Sequence, residues 1–405
     1  MRGIINNQQL TREEKSQIIL KAKQAIADEA LDAVIVAGGS NITYLTGGVV
    51  LPFTDQASVI SAAVFVTAQP EGDLFFSAPD LASVVSGQSD IAVLEILPFT
   101  GGGSPEVLAS RLVGELKRSG FTRGQIGFDG DFFPQALVKA LGKASDVIHW
   151  TDCSDFLSRL KMIKTDAEIK LLTQSCRIAD RAIVSALNHT EGNVSDNLSY
   201  HLWEFTERIR VHVGEFCGSA TGHVMAAQGK NARQLHRIPG HHEMIESGSL
   251  IRCELTSHHC GYWADSCRTI MAGHASAAYQ QAYADNLVLK KTAIEKVKPG
   301  VSCGEIFDQV AETAWQHGIR LYAEPGIGGG VGTAEREAPY VVPGEPTIIE
   351  PGMVIAFGPY TLGPDDELIC SKDTYEITSN GARLMSWYRN YDRLYEMIGS
   401  SARHG

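Results

Sequence analysis

The sequence predicts two domains, an α/β domain over residues 1–155 and an α+β domain over residues 156–405. In the first 150 residues, short apolar segments alternate with amphipathic helical segments, as in an α/β sheet domain. In the remainder, longer helices are followed by clustered strands, which is an α+β pattern. A length of 405 residues, 44% of them hydrophobic, suits one large or two ordinary domains with a substantial core.

The N-terminal domain is predicted to begin with an amphipathic helix over residues 11–32, in which Ile18, Ile19 and Ile26 recur among charged residues. Short apolar runs predict strands over residues 31–37, 60–67, 74–77, 91–97 and 125–128. The intervening segments predict a turn with a short helix over 40–47 and helices over 105–118 and 133–142. We expect this domain to act as a scaffold and a dimer contact.

The C-terminal domain is predicted to open with a helix that starts after Thr165. Thr165 can cap the first turn while Glu168, three residues later, returns the hydrogen bond, which is a capping box. Helical patterns also cover residues 196–210, 287–298 and 303–317. Apolar runs predict later strands over residues 353–357 and 369–378.

A predicted hairpin over residues 250–270 is the stretch around which the C-terminal domain is organised. In its first strand, apolar residues alternate with Arg252, Glu254 and Thr256, so these three side chains share one face. Pairing with the return strand brings Asp265 close to Glu254. Two converging carboxylates either bind a metal, share a proton or meet a cation.

The residues of the return strand carry a resemblance to a known family. Residues 261–269, with Glu254 eleven positions before Asp265, are similar to the motif of the creatinase/aminopeptidase P/prolidase family of pita-bread enzymes. Residues 41–47 and 164–169 also resemble that family, so the likeness covers nearly the whole chain. It implies an α/β N-terminal domain plus an α+β pita-bread C-terminal domain. It also implies a homodimer in which the N-terminal domain reaches the partner's active site.

The resemblance also implies a two-metal centre, because the family binds two ions through five side chains. The matching positions are Glu254, Asp265, Gly329, Gly358 and Lys372. Two glycines offer no donor and the lysine is a cation, so a divalent ion would be held poorly. We therefore predict no metal and no other cofactor. The ammonium of Lys372 is predicted to lie within salt-bridge reach of Glu254 or Asp265, because paired buried carboxylates need a cation or a shared proton.

Two histidine-rich segments offer an alternative metal site. His258, His259 and Cys260 are consecutive, and His241 is followed by His242. Imidazole and thiolate groups suit Zn²⁺. Adjacent residues rarely face one ion together, so we favour the interpretation that these are polar turn residues in water.

His236 fills the position at which the resemblance implies a catalytic histidine, shortly before the first carboxylate strand. An imidazole with a pKa of about 6.5 suits proton transfer at neutral pH, although a hydrogen-bonded structural histidine is the alternative. Arg336 matches a family histidine that contacts substrate. It could bind a substrate carboxylate, or form a surface salt bridge with Glu335 or Glu337.

Three further residues are predicted to contact the substrate, namely Tyr262, Cys267 and Cys370. Cys370 shares a strand face with Lys372, and a thiol beside a lysine can be a nucleophile of lowered pKa. A role as small buried core residues is the alternative for both cysteines. The glycine run at residues 326–332 lacks the Gly-Lys-Ser/Thr of a phosphate loop, and instead predicts an enlarged cavity.

Composition excludes several classes of partner. A net charge of −12 argues against nucleic acid and anionic membranes, and the longest apolar runs are far shorter than a membrane span. The eight cysteines show no CxxC spacing and no export signal is visible, which favours reduced thiols in a cytoplasmic protein. A small-molecule substrate and a second copy of the chain are the expected partners.

The leading functional hypothesis is a metal-independent, creatinase-like hydrolase that cleaves a C–N bond in a small polar metabolite. His236 would transfer protons, and Glu254, Asp265 and Lys372 would complete the catalytic group. Two alternatives are a non-catalytic protein that binds a small molecule or peptide, and a lyase on the same scaffold. Ordinary prolidase activity is disfavoured at this point because it requires both metals.

Overall fold

The computed structural model of the protein divides into two compact units, Gln9–Lys161 and a unit that contains Met162–Gly405. The boundary between them lies near the one expected at residues 155/156. The structure describes residues 10–51, 62–79, 81–95, 97, 104–195, 200–217, 221–386 and 391–398, except the side chains of residues 192–195 and 217.

The N-terminal unit contains a sheet of six described strands. These are β1 (Ala33–Val36), β2 (Ala62–Thr67), β3 (Leu74–Ser77), β4 (Ala92–Leu94), β5 (Gly124–Phe128) and β6 (Ile148–Asp152). Their order is β4-β3-β2-β1-β5-β6, in which β2 is antiparallel to both neighbours and the other pairs are parallel. The helices are α1 (Arg12–Asp28), α2 (Gly39–Leu45), α3 (Ala82–Ser86), α4 (Pro105–Arg118), α5 (Gln135–Ala144) and α6 (Ser154–Met162).

Local caps explain where two of these helices begin. The Thr11 side chain accepts a hydrogen bond from the N–H of Glu14, whose carboxylate accepts from the N–H of Thr11, so α1 starts with a capping box. Ser104 caps α4, which has proline at its first position. Apolar residues of the strands and helices then form one core, among them Ile35, Phe65, Phe76, Leu112, Ile126 and Leu141. The predicted α/β domain is confirmed.

The described residues of the C-terminal unit form long helices and three small sheets. The helices are α7 (Asp166–Ser195), α8 (Leu202–Cys217), α9 (Ala277–Lys296) and α10 (Cys303–His317). The first sheet has the order β18-β9-β8-β7, from β7 (Thr221–Gln228), β8 (Leu250–His259), β9 (Tyr262–Ala272) and β18 (Tyr395–Met397). The second has the order β12-β11-β13-β16-β17, from β11 (Gly328–Gly330), β12 (Glu337–Val341), β13 (Val354–Phe357), β16 (Asp373–Thr378) and β17 (Gly381–Leu384). The third is β10 (Leu321–Tyr322), β14 (Tyr360–Leu362) and β15 (Leu368–Cys370).

Several predicted boundaries in this unit are corrected by the structure. The strand expected over residues 369–378 is two strands, β15 and β16, that end and begin on either side of Ser371 and Lys372. Helix α9 begins at Ala277, ten residues before the predicted start at residue 287. The helix expected from residue 196 begins at Leu202, and residues 196–199 lie outside the described part of the chain. The capping box of α7 is present, with Glu168 accepting from the N–H of Thr165 at 2.8 Å.

No helix in the described residues is both long and apolar enough to cross a membrane.

Candidate active site

The β8–β9 hairpin sets the positions of two carboxylates. Its two-residue turn, Cys260 and Gly261, has left-handed backbone angles (φ 51° and 80°), which suit a tight hairpin. Glu254 pairs with Cys267, and Thr256 pairs with Asp265. Glu254 and Asp265 are therefore diagonal neighbours on one face of the hairpin, as the alternation of the sequence predicts.

Lys372 brings a cation to these carboxylates. Its Nζ lies 2.9 and 3.1 Å from the two carboxylate oxygens of Asp265, and 3.8 Å from Oε2 of Glu254. Burial would lower the pKa of Lys372, but the charges of Asp265 and Glu254 outweigh burial and hold it above its ordinary range. The ion pair expected from the sequence is present. We call Arg252, Glu254, Asp265 and Lys372 the Lys372 cluster.

Glu254 is held as a fixed anion. The Nε of Arg252 donates to its Oε1 at 2.9 Å, and the hydroxyl of Tyr360 donates to its Oε2 at 2.8 Å. Burial would raise the pKa of Glu254, but Lys372, Arg252 and the Tyr360 hydrogen bond outweigh burial and lower it. With both oxygens engaged, this carboxylate is poorly suited to act as a nucleophile or a general base.

A second ionic group lies behind the first. We call it the Arg268 cluster, and its members are Asp180 of α7, Arg268 of β9, Lys290 of α9 and Asp373 of β16. Nη2 of Arg268 lies 2.7 Å from carboxylate oxygens of both Asp180 and Asp373, and Lys290 pairs with the other oxygen of Asp373. Nη1 of Arg268 also donates to the carbonyl of Lys372, whose own N–H donates to the carbonyl of Cys267. The Arg268 cluster therefore fixes the backbone from which Lys372 projects.

Two glycines make room above the second sheet. Gly328 pairs with Phe357, which in turn pairs with Asp373, so Gly358 lies beside Lys372 and on the same face as Gly329. A Cβ at Gly358 would lie 2.5 Å from the Cβ of Lys372, and a Cβ at Gly329 would lie 3.1 Å from Nε of Arg336. A cavity is present beside the glycine run, but the space directly above Gly358 and Gly329 is taken by the side chains of Lys372 and Arg336. Whether the glycines enlarge the cavity stays a prediction.

A hydrogen-bonded histidine, missed in the sequence, completes the polar side. His223 lies in a bulge of β7, between Thr221 and Val224, where the pairing with β8 shifts. Its Nδ1 lies 3.1 Å from Oε2 of Glu335 and 3.2 Å from Oγ1 of Thr256. Burial would raise the pKa of Glu335, but the hydrogen bond and charge of His223 lower it. A proton on Nδ1 leaves Nε2 of the neutral ring as an acceptor.

These groups surround a cavity of about 440 Å³. Its polar lining includes His223, His236, Glu254, Thr256, Asp265, Glu335, Arg336, Tyr360 and Lys372. Its apolar lining includes Met225, Leu235, Pro325, Val331 and Ala356. A volume of this size and a mixed lining are typical of a site for a small ligand.

The structure places the two other cavity residues predicted from the sequence at its wall. His236 is exposed and makes no hydrogen bond to the described residues, so its predicted role in proton transfer has less geometric support than the same role for His223. Arg336 donates from Nη2 to the carbonyl of Pro325 at 2.8 Å and lies over the ring of Tyr340.

Three predicted substrate contacts are wrong. Tyr262 is fully buried, donates to Glu168 at 3.4 Å and does not line the cavity. Cys267 and Cys370 are also fully buried beneath the cavity. Burial, followed by the neighbouring Cys370, raises the pKa of Cys267, so this thiol is not an activated nucleophile. The alternative interpretation as core cysteines agrees with the structure.

The histidine-rich segments do not assemble a metal site. Nε2 of His259 lies 3.6 Å from the sulfur of Cys260, and His241 packs on Trp203. Across the described residues, no three histidine, cysteine, aspartate or glutamate side chains gather in a group that could hold a metal ion.

Models of two protein families match most of the chain. The model of metallopeptidase family M24 matches residues 170–384, which is more than half of the chain, and the creatinase/prolidase N-terminal domain model matches residues 19–163. This chain belongs to the M24 family. The family resemblance and the pita-bread fold predicted from the sequence are confirmed.

Individual M24 relatives have low sequence identity to this chain but align over most of its length. An Xaa-Pro dipeptidase of Lactobacillus delbrueckii is 23% identical over 89% of this chain and 94% of its own length. One from Pyrococcus horikoshii is 25% identical over 62% of this chain and 70% of its own length. Among solved structures, an Xaa-Pro dipeptidase from Bacillus anthracis has a TM-score of 0.76 at 19% identity, covering 94% of this chain and 99% of that one.

These findings correct the functional hypothesis drawn from the sequence. The M24 model describes metallopeptidases, and the relatives carry the name Xaa-Pro dipeptidase. The hypothesis of a metal-independent, creatinase-like hydrolase of a small polar metabolite is therefore wrong in its creatinase-like activity and in its substrate.

The M24 family implies a metal centre, and the donor set of this chain can be tested against it. Gly329 and Gly358 have no donor atom, and a larger side chain at Gly358 would collide with Lys372. The ammonium of Lys372 pairs with both remaining carboxylates, and Glu254 is also bonded to Arg252. These residues do not fit a two-metal centre. This M24 member departs from its family at the donor positions Gly329, Gly358 and Lys372.

Proposed function

We propose that this chain hydrolyses the C–N bond of short peptides at the cavity lined by the Lys372 cluster. The observation that carries the proposal is the hydrogen-bonded His223–Glu335 pair, which lines the same cavity as the Lys372 cluster. The names of the relatives support peptides as the substrate class. The cavity volume of about 440 Å³ suits a ligand of dipeptide size.

His223 is the group assigned to proton transfer. The carboxylate of Glu335 accepts a hydrogen bond from Nδ1–H and orients the ring, so Nε2 can take a proton from water as that water attacks the carbonyl carbon of the ligand. The same proton then passes to the leaving nitrogen as the C–N bond breaks, which yields a carboxylic acid and an amine.

Lys372 is assigned to the carbonyl oxygen of the ligand. An ammonium has three N–H donors, and in the described structure its hydrogen bonds go to Asp265 alone. The remaining donor can stabilise negative charge that develops on the carbonyl oxygen. Glu254 and Asp265 keep the lysine charged and in place.

The test is hydrolysis of alanylproline and other dipeptides by the purified protein and its His223→Gln variant. Loss of a general acid/base lowers the rate by about 10²–10⁴-fold, and we expect a loss in that range in kcat with the protein still folded. His236→Gln should cost much less. A larger loss for His236→Gln than for His223→Gln would return the proton-transfer role to His236.

Two outcomes would contradict the proposal itself. One is tight binding of dipeptides by the wild-type protein without turnover. The other is activity that disappears with a chelator and returns with Mn²⁺ or Zn²⁺, because the steps above are assigned to side chains alone.

A homodimer and a cytoplasmic location stay predictions. The seven cysteines whose side chains the structure describes form no disulfide, which supports a reducing compartment. Sedimentation of the purified protein would test the dimer, and fractionation of the source cells would test the location.

A further inference from the structure

Arg336 is a cavity cation that lacks a carboxylate partner among the described residues. The other two cationic side chains near the cavity floor are matched, since Lys372 pairs with Asp265 and Arg252 pairs with Glu254. In the described structure, the side chain of Arg336 donates only to the neutral carbonyl of Pro325. Its positive charge is therefore available to a ligand.

The carboxylates on either side of Arg336 are committed elsewhere. Glu335 pairs with His223 at 3.1 Å, and Glu337 pairs with the buried Lys164 at 2.7 Å. The surface salt bridge that the sequence left open for Arg336 is therefore absent from the described structure.

The guanidinium is held by contacts that leave most of its donors unused. The Tyr340 ring lies 5.7 Å from its central carbon, and Gly329 leaves the space beside Nε empty of a side chain. An arginine has five N–H donors in a planar fork, and one bond to Pro325 leaves at least one edge of the fork open. Such an edge matches the two oxygens of a carboxylate.

We propose that Arg336 binds a carboxylate of the ligand, so that the cavity selects acidic peptides over neutral ones. This assignment relies on the proposed hydrolysis only for where the cleaved bond lies. The binding of a carboxylate by Arg336 does not depend on it. The carboxylate can belong to the C-terminus of the peptide or to an aspartate or glutamate side chain, because both present the same pair of oxygens. The apolar wall at Met225, Leu235 and Val331 packs against the rest of the ligand.

Binding is the first readout because it needs no turnover. Calorimetry would compare alanylproline, its carboxamide, and the carboxamide of alanylglutamate. We expect wild-type protein to bind an acidic peptide about 10- to 100-fold more tightly than the neutral carboxamide, the range for a hydrogen bond to a charged group. Preference for alanylproline identifies the C-terminal carboxylate, and preference for alanylglutamate carboxamide identifies the side chain.

Arg336→Gln should reduce this preference to about twofold or less, while Arg336→Lys should keep part of it because the charge remains without the planar fork. The matched control is Arg383→Gln, which removes an exposed arginine that pairs with Glu376 outside the cavity and should keep the full preference. In a turnover assay, the loss in Arg336→Gln should fall on KM.

Equal binding of acidic and neutral peptides by wild-type protein would overturn the proposal, as would full preference in Arg336→Gln. If acidic peptides bind through Arg336 but none is cleaved, the proposed hydrolysis fails and the assignment of Arg336 stands.

Discussion

The Lys372 and Arg268 clusters contain the same charges, two cations and two carboxylates, on opposite sides of one strand. Asp265 and Arg268 are three residues apart on β9, so their side chains project to opposite faces. Glu254, Asp265 and Lys372 line the cavity, whereas no member of the Arg268 cluster does. The structural cluster and the candidate site are therefore each balanced in charge. They differ in their access to the cavity.

The largest effect is expected from Arg268→Met. This change removes the buried guanidinium from Asp180 and one of two cations from Asp373. Breaking a buried ion pair costs about 3–5 kcal/mol, and we expect a loss in that range in the free energy of unfolding. Urea denaturation would measure it.

The control for that experiment is Arg383→Met, which removes an exposed guanidinium from its ion pair with Glu376 and should cost less than about 1 kcal/mol. Similar losses for the two variants would show that the Arg268 cluster is not the structural one.

The second largest effect is expected from Lys372→Glu, which brings a third carboxylate beside Glu254 and Asp265. We expect a loss of about 3 kcal/mol in unfolding free energy, the low end for a broken buried ion pair. Added Mn²⁺ or Zn²⁺ should restore part of the loss, since three carboxylates attract a divalent ion even without donors at Gly329 and Gly358. Thermal melts with and without metal would measure both effects.

Lys372→Met is the matched control for that variant. It should cost about 1–3 kcal/mol, because Glu254 keeps Arg252 and Tyr360 and only Asp265 loses its cation. Metal rescue of Lys372→Met as strong as that of Lys372→Glu would show that residue 372 does not decide the charge of the site.

Gly358→Ala should have a smaller effect on stability and displace Lys372. Its Cβ would lie 2.5 Å from the Cβ of Lys372, and overpacking of this kind costs about 1–3 kcal/mol. The matched control is Gly214→Ala in α8, where a Cβ would meet nothing within 4 Å and should stabilise the helix by about 0.5–1 kcal/mol. Denaturant melts of both variants would measure the free energy of unfolding. No loss for Gly358→Ala would mean that the residues around Gly358 can shift to accommodate a methyl group.

The smallest effect concerns the pH dependence of the Glu335–His223 pair. The pKa of Glu335 is lowered on folding, so the pair adds stability above the ordinary glutamate pKa of about 4.3, and this contribution is lost as pH falls through the folded pKa. Both side chains are more than one third exposed, so we expect less than about 1 kcal/mol. In urea denaturation, Glu335→Gln should remove the contribution at pH 7 and cost progressively less as the pH falls below the ordinary glutamate pKa. An equal cost at every pH would contradict this assignment.

Local signals in the sequence explain which parts of the fold were predictable. The capping residue Thr165 and the amphipathic runs of α4 and α10 fix those helices, because their determinants lie within a few residues. Helix α9 was predicted too short because the buried residues of its first ten positions are Tyr283 and the polar Asn286, which leaves no apolar helical period there. The break at Ser371 and Lys372 has no glycine or proline to mark it.

The candidate site was predictable only where the residues lie close in sequence or match the family motif. Glu254, Asp265 and Lys372 meet as expected. His223 was missed because β7 was not predicted as a strand, and its partner Glu335 is 112 residues away. Such a pairing depends on tertiary contacts that no local pattern records.

The backbone of Lys372 is fastened from both sides, by its own N–H to Cys267 and by Arg268 on its carbonyl. The backbone position of Lys372 is thus held independently of the carboxylates that its ammonium group contacts. The backbone position of residue 372 is therefore fixed, while its side chain can be exchanged. Lysine analogues of different length, introduced there chemically, would place the positive charge at different distances along one line through the cavity. Such a series would measure the electric field inside the site.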